Sequence, residues 1–249
     1  MAECQAPSMD SASEGKGTRI RPRRKALGTH VSDQYMKLAS KREKEFREVS
    51  DFNMMLGWSA NQTQEWDAAS WIGNDGFDSA VHATQDGFAI YYTAHLHADT
   101  TAFANTWAAF KTLNQTNMLL ARQGLLAQGV GRGHLGPFGE GRLGIIHGDL
   151  QTDRVYELLQ TEKRVDTAEN AKNPIIQYNI QPLHIRRIEG YFWALIDLDL
   201  HPFRVVITEN LTAWSHTAAL TLGTTFATRY TLNFGVIWNG LGVWGTQGA

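Results

Sequence analysis

Cysteine is almost missing from this chain: Cys4 stands alone, so no intrachain disulfide can form and stability must come from packing or assembly. Lysine is nearly missing beyond residue 50, where only Lys111, Lys163 and Lys172 occur. No run of about 18 apolar residues exists, which argues against a membrane-spanning helix. The opening MAECQAPSMDSASEG has neither a charged n-region nor an apolar h-region, which argues against secretion by a signal peptide and leaves a virion or cytoplasmic location as the expectation. GxxxxGK[ST], HExxH, GxSxG and CxxC are all absent, and so is any repeat of about 20 to 50 residues, so the familiar enzyme signatures and the solenoid and propeller folds find no support.

What is there divides the chain in two. At 249 residues and 43% hydrophobic content it can bury a full core. The net charge of −2 hides opposite halves, because the first 50 residues are basic and the remainder acidic. Six of the ten residues in KGTRIRPRRK are cationic: Lys16, Arg19, Arg21, Arg23, Arg24 and Lys25. Residues 1–30 hold few large apolar side chains and read as a flexible basic arm. Residues 31–50 read as a surface helix capped by Ser32 and running through Tyr35 and Leu38 to Val49, with a narrow apolar stripe. Residues 51–249 read as a mainly β body. Trp58, Trp66 and Trp71 among Asn, Gln, Asp and Gly suggest short strands and loops over 51–87.

Within that body FAIYYTAHLH, ending at His97, has strand composition. A helix near 100–123 is expected next, capped by Asp99 or Thr100, with Phe103, Trp107 and Phe110 at i, i+4 and i+7 and Gly124 as its end. A glycine-rich loop follows over 129–144, then a short helix from Asp153 to about Arg164. Beyond Pro174 come strand-like segments: IIQYNI, HIRRIEGYFWALIDLDL, FRVVITENL and the Thr-rich stretch from Ala218 onward. Ile196, Leu198 and Leu200 alternate with Asp197 and Asp199, the period of a half-buried strand. The fold class expected is mainly β (α+β): an antiparallel sandwich or jelly-roll-like body with one inserted helix and a basic, partly helical N-terminal extension.

Several constellations could carry chemistry. The basic run can displace the counterions condensed on nucleic-acid phosphates, with a salt slope of roughly −5 if all six cations engage duplex. It can equally dock on an acidic neighbouring subunit. Gly131, Gly133 and Gly136 spell GxGxxG, but a leucine-rich helix precedes them and Pro137 follows, so the dinucleotide context is missing. Asp197 and Asp199 would lie about 7 Å apart on one strand face, the spacing of a glycosidase pair, although solvent exposure is their ordinary role. Trp193, Trp214, Trp238 and Trp244 suit core or subunit-interface packing better than stacking on a sugar or a base. The acceptor triplets at Asn61, Asn114 and Asn210 read as incidental without a secretory signal.

His95, His97 and Asp99 fall at i, i+2 and i+4, which would put two imidazoles and a carboxylate on one strand face. Followed by His134, Asp149 and later His184 or His201, their order is similar to that of the metallo-β-lactamase-like hydrolases. That resemblance implies a metal-dependent hydrolase with ligands drawn from His95, His97, Asp99, His134 and Asp149, and Thr100 stands where that family has its second-metal histidine. The favoured expectation is different and rests on architecture: a non-enzymatic structural protein without cofactor or metal, self-assembling into a larger particle of the viral capsid type. Its partners would be further copies of the chain, other structural subunits and nucleic acid reached by the arm. A carbohydrate- or peptide-binding β module is the second alternative.

Overall fold

The computed structural model describes residues 20, 22–32, 43–96, 102–129, 138–162, 172–218, 223–236 and 240–246. Strands outnumber helices and nearly all pairing is antiparallel, so the class is α+β with layered sheets. Two sheets carry the architecture.

The inner sheet has the order β5-β4-β6-β9, formed by β4 (Leu143–His147), β5 (Gln181–His184), β6 (Trp193–Asp197) and β9 (Val243–Thr246). Only the β4–β5 pair is parallel. LGIIH and WALID are buried at every position, as near-continuous apolar strands are when both faces are covered. One face packs on α2 (Gln115–Gly129) and α3 (Thr152–Gln160) through Met118, Leu125, Val155 and Leu158. The other packs on Ile90, Tyr91, Ile188 and Phe192. The expected half-buried strand around residue 197 is therefore covered on both sides.

The outer sheet has the order β1-β8-β7, formed by β1 (Arg23–Ser32), β7 (Phe203–Ala218) and β8 (Gly223–Val236), all antiparallel. α1 (Glu43–Ala69) packs on it, placing Ala60 against Tyr230 and Leu232. At 27 residues α1 is about 40 Å long. The small β2 (His95–Leu96) and β3 (Ala102–Phe103) pair with each other.

Several expectations are corrected. The end of the 1–30 arm is β1, whose ten backbone positions register with β8 from Arg23↔Leu232 to Ser32↔Gly223. Ser32 ends that strand rather than capping a helix, and residues 33–42 lie outside the described set. α1 extends to Ala69, so 51–69 is helical. Leu56, Ala60, Thr63 and Asp67 fall at i, i+4, i+7 and i+11 and form its sheet-facing stripe, which the intervening tryptophans and amides disguise in the sequence.

The helix expected at 100–123 begins instead at Gln115. Asn114 Oδ1 accepts the Asn117 N–H at 2.7 Å, a side-chain cap that outcompetes the aromatic spacing upstream. Residues 102–110 are not helical: Ala102 and Phe103 form β3, Thr106 bridges Gly245, and Trp107 packs on Trp193 and Trp244. Gly124 lies inside α2 because a Cβ there would meet the Trp244 ring at 2.3 Å. FAIYYTAHLH is mostly irregular, since buried Asn105 captures Tyr92 through both its backbone and its side chain and donates Nδ2–H to the Ile90 carbonyl. IIQYNI opens as a 3-10 turn (Pro174–Tyr178) capped by Asn173.

Candidate assembly surface

The basic cluster divides. Arg23, Arg24 and Lys25 are on β1, while Lys16, Arg19 and Arg21 lie outside the described residues. Lys25 Nζ reaches both Asp67 carboxylate oxygens at 2.5 Å and ties β1 to α1. Arg24 lies 3.6 Å from Glu209, whose other oxygen meets Arg229 Nε at 2.5 Å, so this group links β1, β8 and β7. Two of the six cations are thus spent on holding the outer sheet together.

The carboxylates Asp197 and Asp199 have unlike roles. Asp197 is buried and accepts N–H bonds from Gly139, Asp199 and Leu200, organising the turn after β6. Asp199 is exposed, and Arg142 bonds to it through its backbone N–H and its guanidinium. Those bonds hold its carboxyl below the usual range. Asp197 is occupied by backbone N–H groups and Asp199 by Arg142, so the two do not act as a pair and the glycosidase comparison lapses.

His95 is buried, its Nδ1 at 2.8 Å from Asp86 Oδ2 and its Nε2 at 3.1 Å from the Ile90 carbonyl. Protein oxygens lie against both ring nitrogens, so neither faces an open position for a metal. Burial opposes ionisation of Asp86, but hydrogen bonds from Thr84 and His95 outweigh it and hold the carboxyl low. His97, Asp99 and His134 lie outside the described residues. Asp149, just beyond β4, bonds His184 Nε2 at 2.6 Å at the end of β5. Among the described residues no three His, Cys, Asp or Glu side chains form a cation-holding group.

Two further histidines are unusual. His147 stacks on His184 at 5.2 Å, and burial lowers its basicity further than the nearby Gly148 carbonyl raises it. His82 stacks on Trp71 and meets Ser70 Oγ at 2.7 Å, and burial again lowers its basicity despite Asp75. Ser70 is not an activated nucleophile here, because its hydroxyl donates to Asp75 Oδ2. Among the described residues His82 Nδ1 has no partner to orient the ring.

The features that sequence reading missed are apolar and exposed. α1 turns Met54, Met55, Trp58 and Trp66 to solvent, Met54 at 69% and Trp58 at 64% exposure. The exposed acids Asp51 and Glu65 flank them. On a helical wheel Trp58 lies opposite the stripe that faces the sheet. The signal was a second 3.6-residue period running from Asp51 to Trp66. β7, 16 residues long and an edge of its sheet, exposes Val205 at 48%, Ile207 at 54%, Leu211 and Trp214. It contains no lysine and no proline, although two register shifts, between Ile207 and Glu209 and between Glu209 and Thr212, interrupt its pairing with β8. Val205 and Ile207 stand opposite Phe234 and Leu232, so they share the face on which α1 lies but project beyond it.

Trp193 is fully buried, Trp244 packs against α2 and Trp107, and Trp238 lies outside the described residues. No described helix is long and apolar enough to cross a membrane.

No family model matches the sequence, and no curated protein matches it. Solved structures do share its fold. The capsid of a native GTA particle aligns with 92% of this chain and 73% of its own at TM-score 0.54 and 10% identity. The capsid of Myoviridae Phage XM1 aligns with 92% and 74% at TM-score 0.53 and 9% identity. The capsid of the Cyanophage P-SCSP1u aligns with 100% and 80% at TM-score 0.53 and 10% identity. At such identities the likeness is one of fold, and the fold is that of these capsid chains.

Proposed function

We propose that this chain is a structural subunit that self-assembles with further copies into a capsid-type particle, and so resides in a virion. The observation that carries the reading is the outer sheet. A 16-residue edge strand with exposed Val205, Ile207 and Leu211, beside a helix with an exposed Met/Trp stripe, is a surface that isolated soluble domains avoid. Fold likeness to capsid chains over at least 92% of the sequence supports the same reading. In it the inner sheet and its helices form the rigid body, and the outer sheet with α1 holds neighbours.

The basic segment keeps a role within this proposal, in reduced form. Because Arg24 and Lys25 have intrachain partners, contact with nucleic acid or a neighbouring subunit falls to Lys16, Arg19, Arg21 and Arg23. Four cations on duplex would give a salt slope of about −4. The test is electron microscopy with light scattering of the purified chain, with and without residues 1–22. Regular large particles from the full chain are expected, with less co-purified nucleic acid from the shortened one. A monomer at every concentration would overturn the assignment.

A further inference from the structure

The end of α1 and the loop that follows β5 form a joint between the outer and inner sheets. α1 runs into a π-turn (Ser70–Asn74), where the Asp75 N–H bonds the Ser70 carbonyl at 3.0 Å. Such turns are rare and concentrate at functional positions. From this turn Asn74 reaches the loop twice: its Nδ2 donates to the Arg187 carbonyl at 3.0 Å, and its Oδ1 accepts the Glu189 N–H at 2.8 Å. Gly73 lets Ile188 and Phe192 come close, since a Cβ there would lie 3.2 Å from both. Arg187 completes the contact over the Trp66 ring, 5.4 Å from its centroid.

A buried histidine braces the start of this turn. His82 stacks on Trp71 with ring centroids 4.0 Å apart, and its Nε2 lies 2.7 Å from Ser70 Oγ. The Ser70 hydroxyl spends its hydrogen on Asp75 Oδ2, so toward His82 it can only accept, and the neutral ring must carry its proton on Nε2. Nδ1 is then a bare lone pair, buried and without a partner among the described residues. A second proton has only that atom to go to, and there it would make a buried N–H with no acceptor. The charged groups around the ring are Asp75 after the π-turn, Asp67 on α1, Asp78 on the turn that follows and Arg23 on β1; burial outweighs the three carboxylates, and Arg23 opposes the proton as well. The way out is short, because Val81 and Ala83 on either side of His82 are both exposed.

We infer that His82 is an acid-released pin on this joint: neutral, it holds the π-turn through Ser70 and Trp71; protonated, it leaves its site and frees the Asn74 clamp between α1 and the inner sheet. The device works within one copy and does not depend on the assembly reading. It makes the joint rigid at neutral pH and loose in acid while each sheet stays folded.

The test is hydrogen exchange of the full chain at a series of pH values from neutral to acid, expressed as protection factors so that the intrinsic pH dependence of exchange cancels. Amides of residues 70–75 and of Glu189 should lose protection below about pH 6.5, by up to about tenfold per pH unit, the slope set by one proton, while those of β4 and β6 keep theirs. His82→Gln can still donate to Ser70 but cannot take up a proton, so its joint should stay protected throughout. His147→Gln, the control for the other buried histidine of lowered basicity, should keep the loss. In the wild-type chain the His82 ring-proton resonance should titrate with the same midpoint as the loss of protection, a measurement that needs no variant to fold. A joint that opens in His82→Gln as it does in the wild type, or a His82 ring that titrates with no loss of protection at residues 70–75, would overturn the inference.

Discussion

The inner and outer sheets are built from similar residues and finished differently. β4 and β6 are buried at all ten of their positions by helices and loops of their own chain. β7, longer than both together, is open along most of its length. The inner sheet is closed by local sequence: Asn114 starts α2, Gly124 admits Trp244, and Gln128 pins the turn before β9 with bonds to Gly242 and Val243. The outer sheet has one helix for three strands, and its edge carries valine and isoleucine where a solitary domain would carry lysine. One region is complete within the chain, and in the proposed assembly the other is completed by a partner.

The largest expected effect lies in the closed region. Trp193→Ala empties a fully buried site between Trp107 and the α2 face and should cost about 3 to 5 kcal/mol, read as a lower denaturant midpoint of the subunit. Next comes Asp86→Asn, which removes the carboxylate facing buried His95 and should cost about 2 kcal/mol by the same measurement.

A smaller loss follows acidification. His82 and His147 have lowered basicity when folded, so the unfolded chain binds more protons as pH falls below about 6.5; their contribution is full above that value and declines beneath it. The charged neighbours of His147 are His184 and Asp149, and those of His82 are Asp75, Arg23, Asp67 and Asp78. Asp86, with its carboxyl held low, contributes stability above about pH 3.8 that disappears as pH falls through its folded value. Denaturant midpoints taken from neutral to acid pH should fall in these two windows, and His147→Gln should flatten the first.

The smallest effect on the subunit, and the one that separates the regions, is Ile207→Ser. At an exposed site it should change subunit stability by less than about 0.5 kcal/mol while reducing particle yield, measured by denaturation and by sedimentation of the same sample. If it destabilised the subunit as Trp193→Ala does, the contrast between the sheets would be lost.

The sequence made part of this legible. Strand composition located β8 and the first half of β7, because β-branched and aromatic residues recur there, while the continuation of β7 from Thr212 to Ala218 went unread. The spacing of Phe103, Trp107 and Phe110 misled, since Phe103 packs on His95 of β2 and Trp107 on Trp244 of β9 from a non-helical backbone. Gly124 reads as a helix end unless the Trp244 ring, distant in sequence, is known to lie against it. The basic run was visible, but its division was not: Asp67 and Glu209, which hold Lys25 and Arg24, are 42 and 185 residues away in sequence. The exposed Met54 and Trp58 face of α1 was hidden for a related reason, because two opposite stripes on the helix cancel its amphipathic pattern.

The central claim, that the outer sheet is finished by neighbouring copies, is tested most directly by hydrogen exchange on the unassembled subunit and the assembled particle. The account predicts that amides of β7 and α1 gain protection on assembly while those of β4 and β6 stay unchanged. Equal protection of β7 in both states would contradict it.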